Sequence, residues 1–486
     1  MREKYYIISR RKSHGDLLKR YALLTLTLGM VLLFGGTAYA SPSIANGGWP
    51  VYGGNSSGTY LSIYDSSSNS GYVSAINMGA NGENAPAIAP DGTVYVPATP
   101  YAIVAIKDGA VKWHFPESAY DGNLPHISTP LIDSEGNIYF GVDIEKKFYA
   151  LKADGSVLWS CDMPPSSVNG FTPAVMDSSG NIYFGAGFSF YSLDSSGRIR
   201  WAVDTPGYVE HMPVVSGTRV FFVDSSPNPV NYNSAIYCVD SSSGSVEWKW
   251  TDGSPYLNSP SVLQNGTVMV TGNDGYPSSN AYLFSVYQNT TGIKMRIGKS
   301  SSSGVSLDAS GNLYFTGVNG DNSVLYELYE KNWSIKREIS IDGEATTPIL
   351  DSAGNIYVLS YVGSHNGAKV FAFGSSGNQR WSADITGASW IPEIGPDGKI
   401  YAVQEGGSTL YQIGESPDNG GSGGSESGTE NGGSENGGNS SGGENDDGTG
   451  NGDENKENSS STPGFELLVF LGALSVAILT YRRKNL

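Results

Sequence analysis

Residues 129–141 read TPLIDSEGNIYFG, and the phrase returns as TPAVMDSSGNIYFG at 172–185 and TPILDSAGNIYVLS at 347–360. Two short apolar or aromatic runs flank an Asp/Ser/Gly turn, the pattern of a β-hairpin. A second phrase follows after a gap: FYALKADGSVLW at 148–159, FYSLDSSGRIRW at 190–201, IYCVDSSSGSVEW at 236–248 and VFAFGSSGNQRW at 370–381, with a shorter form ending at Trp113. That too is a hairpin, so each unit supplies four strands.

Pro86, Pro130, Pro173, Pro213, Pro260, Pro348 and Pro392 mark the starts of the units, with Val305 in the sixth place, at intervals of 40–47 residues. Units of this period with four strands predict propeller blades rather than a helical solenoid. The expected fold is therefore all-β: an eight-bladed ring of four-stranded antiparallel sheets, with seven blades the lesser alternative. One blade alone has no core; stacking in a closed ring gives it one and leaves no long edge exposed. The eighth unit stops after LYQIG at 410–414 without a Trp strand. Residues 72–78 (YVSAINM), ahead of Pro86, are expected to supply that outer strand and close the ring between N- and C-terminal segments.

Trp113, Trp159, Trp201, Trp248 and Trp381 each stand four residues past a turn glycine. A fixed phase in the units that carry it predicts a docking role between adjacent sheets rather than a ligand platform, since a buried indole removes roughly 150–250 Å² from water. Units five and six lack this Trp and are expected to pack more loosely.

The 486-residue chain carries 64 glycines and 11% aromatics, enough for one large all-β domain with appendages. Residues 1–40 read as a signal peptide: Arg10, Arg11, Lys12, Lys19 and Arg20, an apolar run, then Ala38-Tyr39-Ala40 before the expected cut. Residues 41–414 hold the propeller. Residues 415–462, with eleven acidic residues and one lysine among Gly, Ser and Asn, have too little apolar surface to fold and are expected to be a disordered linker. Its reach as a flexible coil is on the order of 40 Å. Residues 463–486 contain Pro463-Gly464-Phe465, an apolar stretch from Leu467 to Tyr481, and a basic tip of Arg482, Arg483 and Lys484. The stretch is just long enough for a terminal membrane segment with its basic tip inside.

This tail resembles the PGF-CTERM sorting signal of archaeal surface proteins. The resemblance implies removal by a sorting peptidase and replacement by a lipid; a plain transmembrane anchor is the alternative. Either way the propeller is expected on the extracellular face of the membrane. Sequons at Asn55, Asn265, Asn289, Asn332, Asn439 and Asn458 suit an exported glycoprotein. Residues 41–414 contain 18 basic and 33 acidic residues, a net charge of −15, which favours solubility and argues against nucleic acid as a partner. The two cysteines, Cys161 and Cys238, fall two units apart and are expected to stay unpaired.

The phrases ending in Ala/Ser-Leu-(Lys/Asp)-x-x-Gly-x-x-x-Trp, with the opening Trp49-Pro50-Val51-Tyr52, resemble the tryptophan-docking repeats of pyrroloquinoline-quinone (PQQ)-like propellers over residues 46–414. That resemblance implies the fold. For activity it implies either eight-bladed quinoprotein dehydrogenases or noncatalytic scaffolds. A dehydrogenase needs Ca²⁺ to polarise the quinone and a general base beside it. Many such enzymes also stack the quinone on a disulfide between adjacent cysteines, and this sequence has no adjacent pair. PQQ with Ca²⁺ is thus expected only under an alternative, oxidoreductase reading; no cofactor is predicted otherwise, and no catalytic or metal-binding residue is assigned.

Loops entering the innermost strands should gather around the axis. They place Glu83, His126, Phe171, Glu210, His211, Asn258, Glu344 and Trp390 at a common funnel as candidate ligand-binding residues. The repeated turn residues Asp133, Asp177, Asp308 and Asp351 are explained by turn chemistry rather than by calcium or glycosidase chemistry. The expected function is a surface-anchored noncatalytic propeller, a binding or envelope scaffold whose partners are surface proteins or glycans. An oxidoreductase is the alternative and a glycan-active enzyme the third reading.

Overall fold

The computed structural model describes residues 42–121, 124–164, 170–225, 233–254, 256–274, 280–301, 303–362, 367–387 and 391–417. The chain divides into two units, Met1–Gly414 and Glu415–Leu486. Trp390, Asn439, Asn458, the signal-peptide region, nearly all of the linker and the whole sorting-signal region lie outside the described residues. No described helix is long and apolar enough to cross a membrane.

The described strands form eight antiparallel sheets with at least four strands each. Blade 2 shows the plan: Leu131–Ile132 at the axis, then Ile138–Val142, Lys147–Leu151 and Val157–Asp162 at the rim. The eighth sheet is made from both ends of the propeller. Tyr72–Asn77 pairs with Thr409–Gly414 in unbroken register from Tyr72↔Gly414 to Asn77↔Thr409, so the ring closes as the sequence implies, with eight blades. Because strands alternate in direction, two kinds of connection emerge on opposite faces. The turns between strands one and two and between three and four form a turn face. The links between strands two and three and from blade to blade form a mouth face.

On the turn face the repeated Asp organises its own hairpin. Asp133 Oδ1 accepts the amides of Glu135 and Asn137, while Oδ2 accepts Asn137 Nδ2 at 2.9 Å and the Tyr139 hydroxyl at 2.7 Å. Asp177, Asp308 and Asp351 repeat the pattern with Asn181 and Tyr183, Asn312 and Tyr314, and Asn355 and Tyr357. The phrase D-x-x-G-N-x-Y is thus one hydrogen-bonded unit, with glycine, as at Gly136 (φ 82°), taking the left-handed step.

Between blades the indoles of Trp113, Trp159, Trp201 and Trp381 lie over Gly155, Gly197, Gly244 and Gly71 of the next blade, where an added Cβ would meet the ring at 2.6–3.0 Å. Their Nε1 groups donate to carbonyls of the same turns, those of Ala153, Ser195, Ser241 and Asn69, at 2.8–3.2 Å. All are half-buried, as is Trp248, whose ring centre stands 5.8 Å from Phe221. In blade 6 the docking position pairs with Glu327 and holds Arg337, which covers Gly377 and donates to the Ser375 carbonyl at 3.2 Å. The seam expected to be loose for want of a Trp is bridged by a guanidinium instead. Blade 5 has Ile293 at this position.

One feature has no counterpart in the repeat. Residues 43–66 run as a strap over the axial end of the turn face, touching the blades almost in turn. Backbone hydrogen bonds join Ala45 and Pro50 to Ile132, Trp49 to Ile88, Ser56 to Val215, Ser57 to Val262, Thr59 to Leu307, and Tyr60 and Ser62 to Leu350. Ser56 Oγ reaches the Met176 carbonyl at 2.9 Å. The partner is the same residue in each of blades 1–7, the second of the innermost pair. The innermost strands are edges, and the strap satisfies polar groups that would otherwise face an apolar axis. Gly48 (φ 68°) lies so near Ile88 that a Cβ would fall 2.1 Å from its carbonyl oxygen. Trp49, Val51 and Tyr60 are fully buried. Asn55, the first sequon, is half-buried in this strap, accepting the amides of Ser57 and Thr59.

Candidate functional site

The strap covers the axial end of the turn face, so the loops that enter the innermost strands stand at the opposite, mouth end. His211, ahead of the fourth innermost strand, keeps some accessible surface, yet burial lowers its pKa from 6.5 to about 4 against a raising hydrogen bond with the Leu257 backbone. Glu210 beside it keeps accessible surface, yet burial raises its carboxyl above the usual range against a lowering hydrogen bond with Ser225.

Around the other half of the mouth Glu83, Asp143 and Glu405 are each pushed upward by burial. Glu83 accepts the Thr99 hydroxyl at 3.1 Å. Asp143 accepts the His126 amide at 2.7 Å, so His126 and Asp143 meet through the backbone of one and the carboxylate of the other. Glu83 feels the charges of both, and Glu405 feels Glu83. Tyr361, at the mouth end of blade 7, is raised by burial and then by Glu405, Glu344 and Tyr52. Tyr52, in the strap, sets its ring edge-on to Tyr60 with centres 6.2 Å apart.

Of the sequence-predicted funnel residues, Glu83, His126 and Glu344 fall into this electrostatically linked half, and Glu210 and His211 stand together in another sector. Phe171 and Asn258 sit differently. The Phe171 ring packs on Phe148 and Phe184, with centres 6.2 and 5.9 Å away, and covers Gly141 in the seam between blades 2 and 3. Asn258 ties blades 5 and 6 together, its amide nitrogen donating to Thr271 Oγ1 at 2.8 Å and the Ser301 carbonyl at 2.9 Å. Trp390 lies outside the described residues.

The sequence reading passed over Tyr52, Asp143, Tyr361, Glu405 and Glu393. Glu393 had a visible signal. It occupies a column that otherwise holds Ala87, Leu131, Val175, Val214, Ser261, Ser306 and Ile349, a carboxylate where every other blade has an apolar or hydroxyl side chain. It is fully buried, and neither carboxylate oxygen has a hydrogen-bond partner among the described residues.

The family described as outer membrane protein assembly factor BamB, a PQQ-like repeat family, matches residues 145–413, more than half of the chain. This chain belongs to that PQQ-like propeller family. No curated protein matches it. Among solved structures, it is similar to a quinohemoprotein alcohol dehydrogenase from Comamonas testosteroni at 12% identity and a TM-score of 0.56, covering 81% of this chain and 84% of that one. It is also similar to a europium-containing methanol dehydrogenase at 12% identity and a TM-score of 0.51, covering 73% and 89%. At such identity the likeness is one of fold.

Membership raises the question of whether this PQQ-like propeller suits a bound quinone and its calcium. Calcium takes six to eight converging oxygens, and among the described residues no three His, Cys, Asp or Glu side chains gather as metal ligands. The quinone is a tricarboxylate, and the linked half of the mouth presents Glu83, Asp143, Glu344 and Glu405 to it. Like charges across a partly desolvated wall repel. The residues present do not fit the pair. Both cysteines are free, Cys238 buried and Cys161 half-buried.

Proposed function

We propose that this chain is a noncatalytic binding propeller held at the cell surface, taking its surface-protein or glycan partner at the mouth face. The observation that carries the reading is the asymmetry of the axis. The strap closes one end, so any axial ligand enters from the other, where acids, histidines and tyrosines from several blades share one concave wall. Rigid sheets beneath fix these loop residues in place. The sequons support the same polarity. Asn265, Asn289 and Asn332 are exposed on the turn face, so glycans there would leave the mouth clear. The export signal, acidic linker and Pro-Gly-Phe tail support display outside the membrane on a tether that lets the disc tilt and reach. The matching family is named for an outer-membrane assembly factor, which supports a scaffold role at an envelope.

The fold likeness to quinoprotein alcohol dehydrogenases supports the competing oxidoreductase reading. The full-length chain should be assayed for dye-linked alcohol oxidation with added PQQ and Ca²⁺, and probed on glycan arrays and against extracted surface proteins. Retention that falls with Glu83→Gln or Glu405→Gln, without quinone-dependent turnover, is the expected result. Saturable turnover, or retention indifferent to both substitutions, would overturn it.

A further inference from the structure

The turns between the third and fourth strands repeat from blade to blade, so equivalent positions can be compared. The residue that opens the turn is Lys107, Lys152, Asp194, Asp240 and Gly374 in blades 1, 2, 3, 4 and 7, but Tyr287 in blade 5 and Tyr329 in blade 6. Tyr287 is 47% exposed and Tyr329 45%. One exposed tyrosine at a strand end would be ordinary. These two are informative because the same two turns, and none of the other five, carry a sequon: Asn289-Thr290-Thr291 and Asn332-Trp333-Ser334. They also belong to the two blades whose outer strand lacks the docking Trp.

The local geometry sets each asparagine beside its tyrosine. In blade 5, Tyr287 pairs with Thr290 across Gln288 and Asn289, whose φ of 46° and 64° make the left-handed pair of a two-residue hairpin turn. Blade 1 has the same turn, with Gly109 (φ 73°) where blade 5 has Asn289. Glycine fills that position at less cost, so turn chemistry alone does not account for the asparagine. Two residues of chain keep the Cα atoms of Tyr287 and Asn289 within about 8 Å. The Tyr287 ring also comes 4.0 Å from the place a Cβ would take on Gly266, so it stands between the sequons of Asn289 and Asn265. In blade 6 the Trp333 amide donates to the Tyr329 carbonyl at 2.9 Å, closing a turn that Tyr329 and Asn332 share. Asn332 Oδ1 accepts the amide and hydroxyl of Ser334 at 3.1 and 2.8 Å, while Nδ2, the atom that takes a sugar, stays unengaged on an exposed residue. Lys336 Nζ stands 5.6 Å from the Tyr329 ring centre and leaves the rest of the residue to solvent. A pyranose presents one face of C–H groups, and such a face covers an aromatic ring as an apolar side chain does.

We propose that Asn289 and Asn332 carry N-linked glycans whose first sugars pack on Tyr287 and Tyr329, covering the outer turns of the two blades that lack a docking Trp. The transfer forms a bond from Asn Nδ2 to C1 of a lipid-phosphate-linked oligosaccharide and breaks the bond from C1 to the phosphate oxygen; the lipid phosphate leaves with the amide proton. This goes beyond mouth-face binding and rests only on the export part of the proposed function. Glycopeptide mass spectrometry of the full-length chain from its source cells should find sugar on both asparagines. Thermal unfolding then tests the packing. Tyr287→Ala should lower the melting temperature by about 1–3 °C, and not at all in an Asn289→Asp background; Tyr329→Ala should behave likewise against Asn332→Asp. Tyr287→Phe, which keeps the ring, should match the parent. Bare asparagines, equal losses with and without the glycan, or a Tyr287 effect that vanishes with Asn265→Asp instead of Asn289→Asp would overturn the proposal. Bare asparagines on chain found outside the cell would remove the glycans alone, whereas bare chain confined inside the cell would remove the export reading as well.

Discussion

The two faces of the disc obey opposite rules. On the turn face, copies of one hydrogen-bonded hairpin ring a strap that binds the same residue in blade after blade. Its carboxylates, Asp133 and its equivalents, are fully engaged by neighbouring donors. On the mouth face the chemistry differs from blade to blade, and burial there raises the carboxyls of Glu83, Asp143 and Glu405, offset at Glu83 and Asp143 by the charge of His126. Order on one face lets the other diverge, which is what the proposed binding role of the mouth face requires.

That contrast can be broken most forcefully at the strap. Trp49→Ala or Tyr60→Ala should each remove about 3–5 kcal/mol of stability, as emptied buried aromatic sites do, measured by denaturant unfolding. A loss below about 1 kcal/mol would mean the strap is not part of the core. Next come the turns. Asp133→Ala should cost about 2–4 kcal/mol, because it strands the buried Tyr139 hydroxyl and the Asn137 side chain. Glu83→Gln at the mouth should change stability by less than about 0.5 kcal/mol. Equal losses at the two sites would erase the distinction between the faces.

The pH dependence sharpens it further. Glu393 holds its proton more tightly folded than unfolded, since burial raises its carboxyl well above 4.5. The folded state therefore binds more protons than the unfolded one above that pH, and stability falls as pH rises toward the folded pKa. Glu393→Gln should abolish this loss, so variant and parent should diverge in melting temperature as pH rises above about 4.5. His211 has the opposite sign. Its depressed pKa stabilises the fold above pH 6.5, and that contribution fades as pH falls toward 4. His211→Phe should flatten the acid limb of the stability curve. At the sixth seam Arg337→Ala should cost less than Asp133→Ala, about 1 kcal/mol or more, through lost cover of Gly377, the lost bond to Ser375 and the lost ion pair with Glu327.

What the sequence made legible was whatever repeats. Blade number, strand count, the Asp turns and closure by residues 72–77 all follow from a phrase that recurs in phase. The strap was not legible, because Trp49, Tyr52 and Tyr60 follow no period of their own; their partners recur, once per blade, far along the chain. The mouth was legible by position only. Phe171 and Asn258 occupy the right loop yet are drawn into the seams between blades, since a ring or an amide at a strand entrance finds partners in the next sheet. Glu393 stood one residue past its registration proline, inside the repeat, where a column comparison exposes it.

Everything said of the mouth depends on the floor beneath it, and amide hydrogen exchange of the free full-length chain tests that floor directly. The amides of Trp49, Tyr60 and Ser62, with those of Ile88, Val215, Val262, Leu307 and Leu350 that bond to the strap, should exchange as slowly as the central strands. Exchange of the strap amides at the rate of a frayed terminus would mean that the strap does not close the turn-face end of the axis, and the proposed mouth-face binding would lose its footing.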